Sequence, residues 1–339
     1  MFKIGLKVLP YIDTQRSHWG GRGSRPMITD IWYPANDLAK EQEIFIGPPG
    51  APLFFAGRAA PEAEITSDRE SFPLIMLSHG TGGTARQQAW LAEALCRYGY
   101  IVAGVNHHGN TALEPYNLKG FLNVWERPRD LSAVLNQLLV DPVFGARINC
   151  EQIGAVGFSL GGYTVISVAG GVLDLSMLKR AYYAPGRDFH SEIPSEFPDK
   201  AALMTQFDFL ADHDQEHKQS FCDERIRAVF AIAPVLGEAF DAQGLAPVKI
   251  PVKIVVGEAD TLAPPRYNAA RFAELIPQTE LELLEGAVAH YTFLSESTAL
   301  GRETLPLFCI DPPGVDRRAI HQKVGEWARK FFDEHVKTG

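Results

Sequence analysis

A serine enclosed by glycines is the first feature of the sequence that could do chemistry. Residues 157–161 read GFSLG, which fits the pattern G-x-S-x-G, with an apolar run before them and a run of helical periodicity after them. A tight strand-to-helix turn would force neighbouring backbones together, and glycine avoids the resulting clash. We therefore predict that Ser159 stands exposed at a helix N-terminus, where the helix dipole favours negative charge. The alternative is a glycine-rich turn whose serine only caps a helix.

An aspartate and a histidine follow later in the chain at positions that suit this serine. Serine is a weak nucleophile at neutral pH, so it needs a base to take its proton and a carboxylate to orient that base. Asp260 ends the apolar segment VVGEAD, and His290 lies within LLEGAVAHYTF. We predict a catalytic triad of Ser159, Asp260 and His290. Glu258 and Glu285 are alternative acids, but Asp260 is preferred because it is the first residue beyond its strand.

A second glycine-rich segment could stabilise the negative charge that acyl transfer builds on a carbonyl oxygen. Residues 77–83 read LSHGTGG, where a strand ends and the glycines allow backbone amides to turn inward. The predicted oxyanion donors are the backbone N–H groups of Thr81 and of Leu160, the residue after the serine. His79 is expected to hydrogen-bond this loop rather than to act in catalysis.

Two adjacent histidines in VNHHGNT, residues 105–111, raise the question of a metal. A metal is not expected, because we see no cysteine or carboxylate at a useful local spacing. No cofactor is expected either. We predict that His108 forms a pocket wall or stabilises a loop, and that His79, Phe158 and Tyr291 line the same substrate pocket.

The surrounding elements predict how these residues are positioned. Apolar runs rich in strand-forming residues alternate with segments of helical period, which indicates βαβ units and a mostly parallel sheet flanked by helices. The predicted strands lie at residues 72–80, 100–107, 152–159, 226–235, 252–260 and 279–287. The predicted helices are ARQQAWLAEALCRYG, ERPRDLSAVLNQLLVDP, GYTVISVAGGVL, PRYNAARFAELIP and RRAIHQKVGEWARKFFDEHV. Residues 24–36 alternate and contain a proline, which favours an antiparallel strand at the edge of the sheet.

One long segment interrupts this alternation. Residues 172–225 mix short helical patterns with prolines, aromatics and acids between two core strands, and long connections of this kind often form lids. We predict a helical cap there, inserted into an α/β core formed by residues 1–171 and 226–339. Its aromatic residues favour an apolar substrate pocket and are Tyr182, Tyr183, Phe189, Phe197, Phe207 and Phe209. Residues 37–71 are predicted to be a long loop.

Composition excludes several classes of partner. The chain has 339 residues, a formal net charge of −9 and only short basic clusters, which disfavours nucleic acid and anionic membrane surfaces. No apolar stretch is long enough for a membrane span, and the N-terminal segment lacks the apolar centre of a signal peptide. A cytoplasmic location is expected, with export of a trimmed chain as the alternative. Free, buried thiols are expected of the four cysteines, with one disulfide pair as the alternative; the cysteines are Cys96, Cys150, Cys222 and Cys309.

Several segments together resemble a known superfamily. They are DIWYPA (30–35), LSHGTGG, VNHHGNT, ERPRDLSAVL (126–135), GFSLGG and CDERIRAVFAIAP (222–234). On these, the chain resembles α/β-hydrolases, and more narrowly bacterial predicted dienelactone hydrolases and relatives of platelet-activating-factor acetylhydrolase. The strand after the serine ends AIAPVLG without the aspartate that those acetylhydrolases carry there, which leaves Asp260 as the acid.

The resemblance implies an α/β-hydrolase fold and a serine esterase or lipase-like enzyme without a metal or organic cofactor. The expected substrate is a small ester with an apolar part. An amidase, a thioesterase or a polyester hydrolase would use the same triad and stays an alternative. A peptidase and a non-catalytic binding protein on this scaffold are further alternatives, although an intact triad argues against the latter.

Overall fold

The computed structural model describes residues 1–187, 196, 199–213 and 215–337. Within them, an 11-stranded mixed sheet has the order β10-β9-β8-β7-β5-β6-β2-β1-β4-β11, with β3 paired to β4. The strands are β1 Lys3–Ser17, β2 Ser24–Ala35, β3 Gln42–Ile46, β4 Phe54–Pro61, β5 Phe72–Ser78, β6 Ile101–Val105, β7 Ile148–Phe158, β8 Ile226–Ile232, β9 Val252–Gly257, β10 Glu280–Leu284 and β11 Glu296–Ser297. The α-helices are α1 Ala89–Cys96, α2 Leu118–Leu122, α3 Glu126–Leu138, α4 Leu160–Val168, α5 Leu175–Tyr182, α6 Lys200–His213, α7 Ala242–Leu245, α8 Ala269–Leu275, α9 Ala299–Thr304, α10 Pro306–Cys309 and α11 Arg317–His335.

The six strands predicted from apolar runs are all present, and they pair in parallel from β10 to β6. Every residue of β5, β6 and β9 is buried, as expected for parallel strands covered on both faces. The carboxyl ends of parallel strands lie along one edge of the sheet. The loops after β5, β7, β9 and β10 therefore converge on that edge.

Residues 24–36 form an antiparallel strand as predicted, but this strand does not lie at the edge of the sheet. Strand β2 is antiparallel to β6, but β1 pairs along its other side, so β2 lies inside the sheet. The predicted edge position did not allow for a strand in residues 3–17, whose burial alternates along much of its length. The predicted loop of residues 37–71 is likewise wrong in part, because it contains β3 and β4. Strand β3 pairs with β4, the next strand along the chain, and β4 also pairs with the distant β1 and β11.

Helices cover the sheet in packed pairs. Helix α1 packs against α11, and α3 packs against α4, which in turn contacts β7 and β8. In the predicted cap segment, α5 and α6 pack against each other, and α6 also contacts α2. Helical structure is thus present in that segment. Its role as a lid stays a prediction.

Two smaller findings concern membranes and thiols. None of the described helices combines the length and the apolar character that crossing a membrane requires.

All four cysteines are free, with Cys96 and Cys309 buried. Cys150 and Cys222 are exposed, so the prediction of burial is wrong for these two.

Candidate active site

The turn that carries Ser159 is as tight as the sequence suggests. Ser159 connects β7 to α4 with φ 56° and ψ −117°, a left-handed backbone conformation that is rare for residues other than glycine. A Cβ atom on Gly157 would lie 2.0 Å from the Gly161 carbonyl oxygen, and one on Gly161 would lie 1.9 Å from the Ser78 carbonyl oxygen. The glycines are therefore required for close packing. Ser159 itself is only 6% exposed and lines a cavity, so the prediction that it stands exposed is wrong.

The structure brings the three predicted triad side chains into one hydrogen-bonded chain. Ser159 Oγ lies 2.8 Å from His290 Nε2, and His290 Nδ1 lies 2.7 Å from Asp260 Oδ2. The second carboxylate oxygen of Asp260 accepts hydrogen bonds from the backbone N–H groups of Leu262 and Ala263, at 3.0 and 2.7 Å. The ionised carboxylate can only accept, so Nδ1 of the imidazole carries the proton and Nε2 is free to accept one from the serine.

The two alternative acids lie elsewhere. Glu258 is exposed, and its Oε2 accepts a hydrogen bond from the Gly286 N–H. Glu285 is also exposed. Asp260 is 3% exposed and is the carboxylate that contacts His290.

The loop after β5 faces the serine. Thr81 and Leu160 both line the cavity into which Ser159 opens. Within the described part of the chain, the Thr81 N–H has no hydrogen-bonding partner, and the Leu160 N–H is the first of helix α4, where no acceptor exists within the helix. Two unpaired backbone donors beside a nucleophile are what an oxyanion site needs.

The segment VNHHGNT holds this loop in place, a role that the sequence did not reveal. Asn106 Oδ1 accepts from the Ala85 N–H at 2.9 Å, and Asn110 Oδ1 accepts from the Gly82 N–H at 2.6 Å. Thr111 Oγ1 donates to the Gly83 carbonyl at 3.0 Å. The two asparagine bonds occupy the N–H groups of Gly82 and Ala85, whereas the Thr81 N–H stays unpaired within the described part of the chain.

A buried polar network lies beneath the same loop. His79 is fully buried, donates through Nδ1 to the Gly80 carbonyl and accepts at Nε2 from the His107 N–H. His107 donates through Nδ1 to Asp130 and accepts at Nε2 from Ser78 Oγ. Burial lowers the pKa of His107 to about 3 and that of His79 well below its usual value, so both rings are neutral.

Arg127 and Arg25 complete this network. Arg127 donates to the His79 carbonyl, and Arg25 forms two hydrogen bonds with Asp130 at 2.8 and 2.9 Å. Burial lowers the pKa of the Arg127 guanidinium to about 9. Burial disfavours the charged carboxylate of Asp130, but Arg25 and its other partners hold its pKa well below the usual value. As predicted for His79, this histidine hydrogen-bonds the loop.

His108 belongs to a different cluster. Its Nε2 accepts from the Trp19 N–H at 3.0 Å, and its Nδ1 lies 2.6 Å from Glu114. With His18, these side chains form a group whose ligand atoms all lie within 4.8 Å of one another. The expectation that no carboxylate lies near this histidine was therefore wrong, since Glu114 follows six residues later. Both ring nitrogens of His108 are engaged in hydrogen bonds, which is the arrangement of a structural histidine.

Two cavities meet at Ser159. The smaller has a volume of about 140 Å³ and is lined by Thr81, Phe121, Val124, Ser159, Leu160, Tyr182, Glu196, Leu203, Val235, Leu236, Leu262, Asn268, His290 and Tyr291. The larger has a volume of about 590 Å³ and extends past Phe158 and Tyr291 towards β3, β4 and α10.

The predicted pocket residues divide evenly. Phe158 and Tyr291 line the larger cavity, whereas His79 and His108 turn into the protein and line neither. Of the aromatic residues in the predicted cap, Tyr182 lines the smaller cavity. The ring of Phe207 packs against the ring of Tyr182, with centroids 5.9 Å apart. Tyr183 and Phe209 are exposed on the surface. Phe189 and Phe197 lie outside the described residues.

The sequence analysis did not identify most of the residues that line the smaller cavity. Phe121 and Val124 come from the α2 region, and Leu236, Leu262 and Asn268 come from loops whose contacts form only in the folded chain. Glu196 carries no motif at all. Apolar residues in loops have no periodicity that would have identified them.

Comparisons with known proteins find similarity in part of the sequence and in the fold. The sequence model of the family described as platelet-activating factor acetylhydrolase, isoform II, matches residues 57–132, a range that includes Thr81 but ends before Ser159. A ferulic acid esterase from Streptomyces cinnamoneus has a similar structure, with a TM-score of 0.67 and 18% sequence identity over 100% of this chain and 91% of that one. No curated protein sequence matches this chain. The chain has the α/β-hydrolase fold, which confirms the predicted fold class.

Proposed function

We propose that this protein is a serine hydrolase that cleaves carboxylic esters through an acyl-enzyme. The observation that carries the proposal is the hydrogen-bonded chain from Ser159 through His290 to Asp260, with distances of 2.8 and 2.7 Å. The similarity to an acetylhydrolase family and to a ferulic acid esterase supports ester substrates.

In the proposed mechanism, His290 takes the serine proton as Ser159 Oγ attacks the carbonyl carbon of the ester. The N–H groups of Thr81 and Leu160 donate to the oxygen that becomes negative. The imidazolium is stabilised by Asp260 and passes its proton to the departing alcohol. A water molecule then attacks the acyl carbon while His290 accepts its proton, and His290 returns that proton to Ser159 Oγ as the acyl–oxygen bond breaks and the acid is released.

We further propose that residues 172–225 act as a cap over this site. Tyr182 and Leu203 of helices α5 and α6 line the smaller cavity together with Ser159, which is 6% exposed. A covered nucleophile with apolar walls favours a small ester with an apolar part over a polymer chain.

The proposal is tested by Ser159→Ala in the full chain, with 4-nitrophenyl butyrate as substrate. Removing the nucleophile should lower kcat on the order of 10⁶-fold, because base and acid have nothing left to activate. A fluorophosphonate should label the unmodified protein by losing fluoride to Ser159 Oγ, and mass spectrometry should show the adduct on this residue only.

Ser132→Ala is the matched control. Its hydroxyl donates to Asp223 at 2.8 Å, and the residue lines neither cavity, so activity should persist. A folded Ser159→Ala protein that still hydrolyses the ester at the unmodified rate contradicts the proposal. Parallel anilide and thioester substrates separate the amidase and thioesterase alternatives.

A further inference from the structure

The cap segment contributes one acidic side chain to the site. Glu196 lines both cavities together with Ser159 and His290. Its Oε1 accepts a hydrogen bond from the Tyr291 hydroxyl at 3.1 Å. A Cβ atom on Gly82 would lie 3.0 Å from the Glu196 Cβ, so this side chain also lies directly against the proposed oxyanion loop.

The second oxygen of this carboxyl group is buried without a full set of hydrogen bonds. Oε2 of Glu196 is buried and has no hydrogen-bonding partner among the residues that the structure describes. Burial raises the pKa of Glu196, although hydrogen bonds from its own backbone N–H and from Tyr291, and the proximity of His290 and Lys200, counteract part of that effect. A carboxylate oxygen removed from water retains the capacity to accept a hydrogen bond, and leaving it unpaired is costly.

The remaining walls are suited to neutral groups. The smaller cavity is mostly apolar, with Phe121, Val124 and Leu203 among its walls. No lysine or arginine lines either cavity within the described part of the chain. Lys200 is close enough to Glu196 to lower its pKa but lines neither cavity, so a negatively charged substrate would meet the Glu196 carboxylate with no cation in the cavity wall to offset the repulsion.

We propose that Glu196 is a specificity-determining residue that excludes anionic esters and accepts a hydrogen bond from a hydroxyl or ammonium group of the substrate. This inference rests on the proposed ester hydrolysis and specifies its substrate class. Because Glu196 lines both cavities, the selection does not depend on which one receives the acyl group. The Tyr291 bond holds the carboxyl group in position between them.

The test uses three aryl esters that differ only in one substituent. They are phenyl butyrate, 3-carboxyphenyl butyrate and 3-(dimethylaminomethyl)phenyl butyrate, which are neutral, anionic and cationic at neutral pH. We compare kcat/KM for the unmodified protein and for Glu196→Gln, which keeps the shape and an acceptor for Tyr291. For each protein, kcat/KM of each charged ester is divided by kcat/KM of the neutral ester. Comparing these ratios between the two proteins cancels the intrinsic reactivity of the substrates.

In Glu196→Gln, the anionic-to-neutral ratio should rise at least about tenfold and the cationic-to-neutral ratio should fall by a similar factor. The neutral ester should change by less than about fivefold. Glu303→Gln changes the net charge equally on an exposed helix that lies outside both cavities, and should leave both ratios unchanged.

Two outcomes overturn the proposal while leaving ester hydrolysis intact. One is an unmodified protein that cleaves the anionic ester as well as the neutral one. The other is a Glu196→Gln protein in which all three esters slow down together, which would give Glu196 a structural role only. If the unmodified protein cleaves none of the esters and does not react with a fluorophosphonate, the proposed function is wrong, and the proposal about specificity is then wrong as well.

Discussion

At the scale of single residues, Asp260 has a demanding position in the candidate site. It is almost completely buried, and its two carboxylate oxygens accept from three N–H groups, one on His290 and two on the backbone. These bonds fix both the ring orientation and the tautomer of the histidine. The sequence left Glu258 as an alternative acid, since both residues lie near the end of one strand.

Asp260→Asn should lower kcat by about 10⁴-fold while the protein stays folded. The amide can turn an N–H towards the imidazole, which then carries its proton on Nε2 and cannot accept one from Ser159. Stopped-flow or steady-state hydrolysis of 4-nitrophenyl butyrate measures the loss, and circular dichroism checks the fold. Glu258→Gln is the matched control for the alternative acid and should keep activity. Full activity in Asp260→Asn would remove this residue from the mechanism.

At the scale of elements, two loops at the carboxyl edge of the sheet act as one unit. The loop after β6 supplies side chains that bind the backbone of the loop after β5. Asn110 connects further, because its Nδ2 donates to the Gly120 carbonyl at 3.1 Å within helix α2. The geometry of the proposed oxyanion donors thus depends on residues outside their own loop.

Asn110→Ala should lower kcat by up to about 10²-fold, because a displacement of the loop by a fraction of an ångström misdirects the Thr81 amide. Asn110 acts as a positioning residue, so KM should change much less than kcat. Asn110→Asp keeps the acceptor for the Gly82 N–H and should recover part of the loss. Equal kcat in all three proteins would show that the loop holds its shape without this side chain.

At the scale of the whole molecule, the fold keeps two buried histidines in their neutral forms. His107 and His321 are buried and neutral, and burial lowers the pKa of each to about 3. In the unfolded chain a histidine titrates near its usual value of about 6.5. As pH falls below that value, the unfolded chain takes up protons that the folded protein cannot bind, and stability is lost down to the folded pKa.

The free energy of unfolding should therefore fall by about 1.4 kcal/mol per pH unit for each of these histidines between about pH 6 and pH 4. Urea denaturation at a series of pH values measures the slope. His321→Gln, which can still donate to the Thr292 carbonyl, should reduce the slope by that amount. His213 is exposed, so His213→Gln is the matched control and should retain the full slope. Identical slopes for both variants would contradict the assignment.

Much of this protein could be predicted from the sequence, because local patterns report local physics. Apolar runs identified six parallel strands, and the glycines around Ser159 indicated a turn where a Cβ would lie about 2 Å from a backbone oxygen. The order of Ser159, Asp260 and His290 along the chain, each after a strand, indicated that they would meet at one edge.

Only the tertiary structure decided the rest, because the remaining features depend on pairing between distant segments. Strand β1 turned the supposed edge strand β2 into an interior one. The path of a loop brings His108 and Glu114 together, and Glu196, which belongs to no motif, lines the same cavity as Ser159. Periodicity encodes which face of an element is buried, whereas the walls of a cavity are assembled from loops whose contacts exist only in the folded chain.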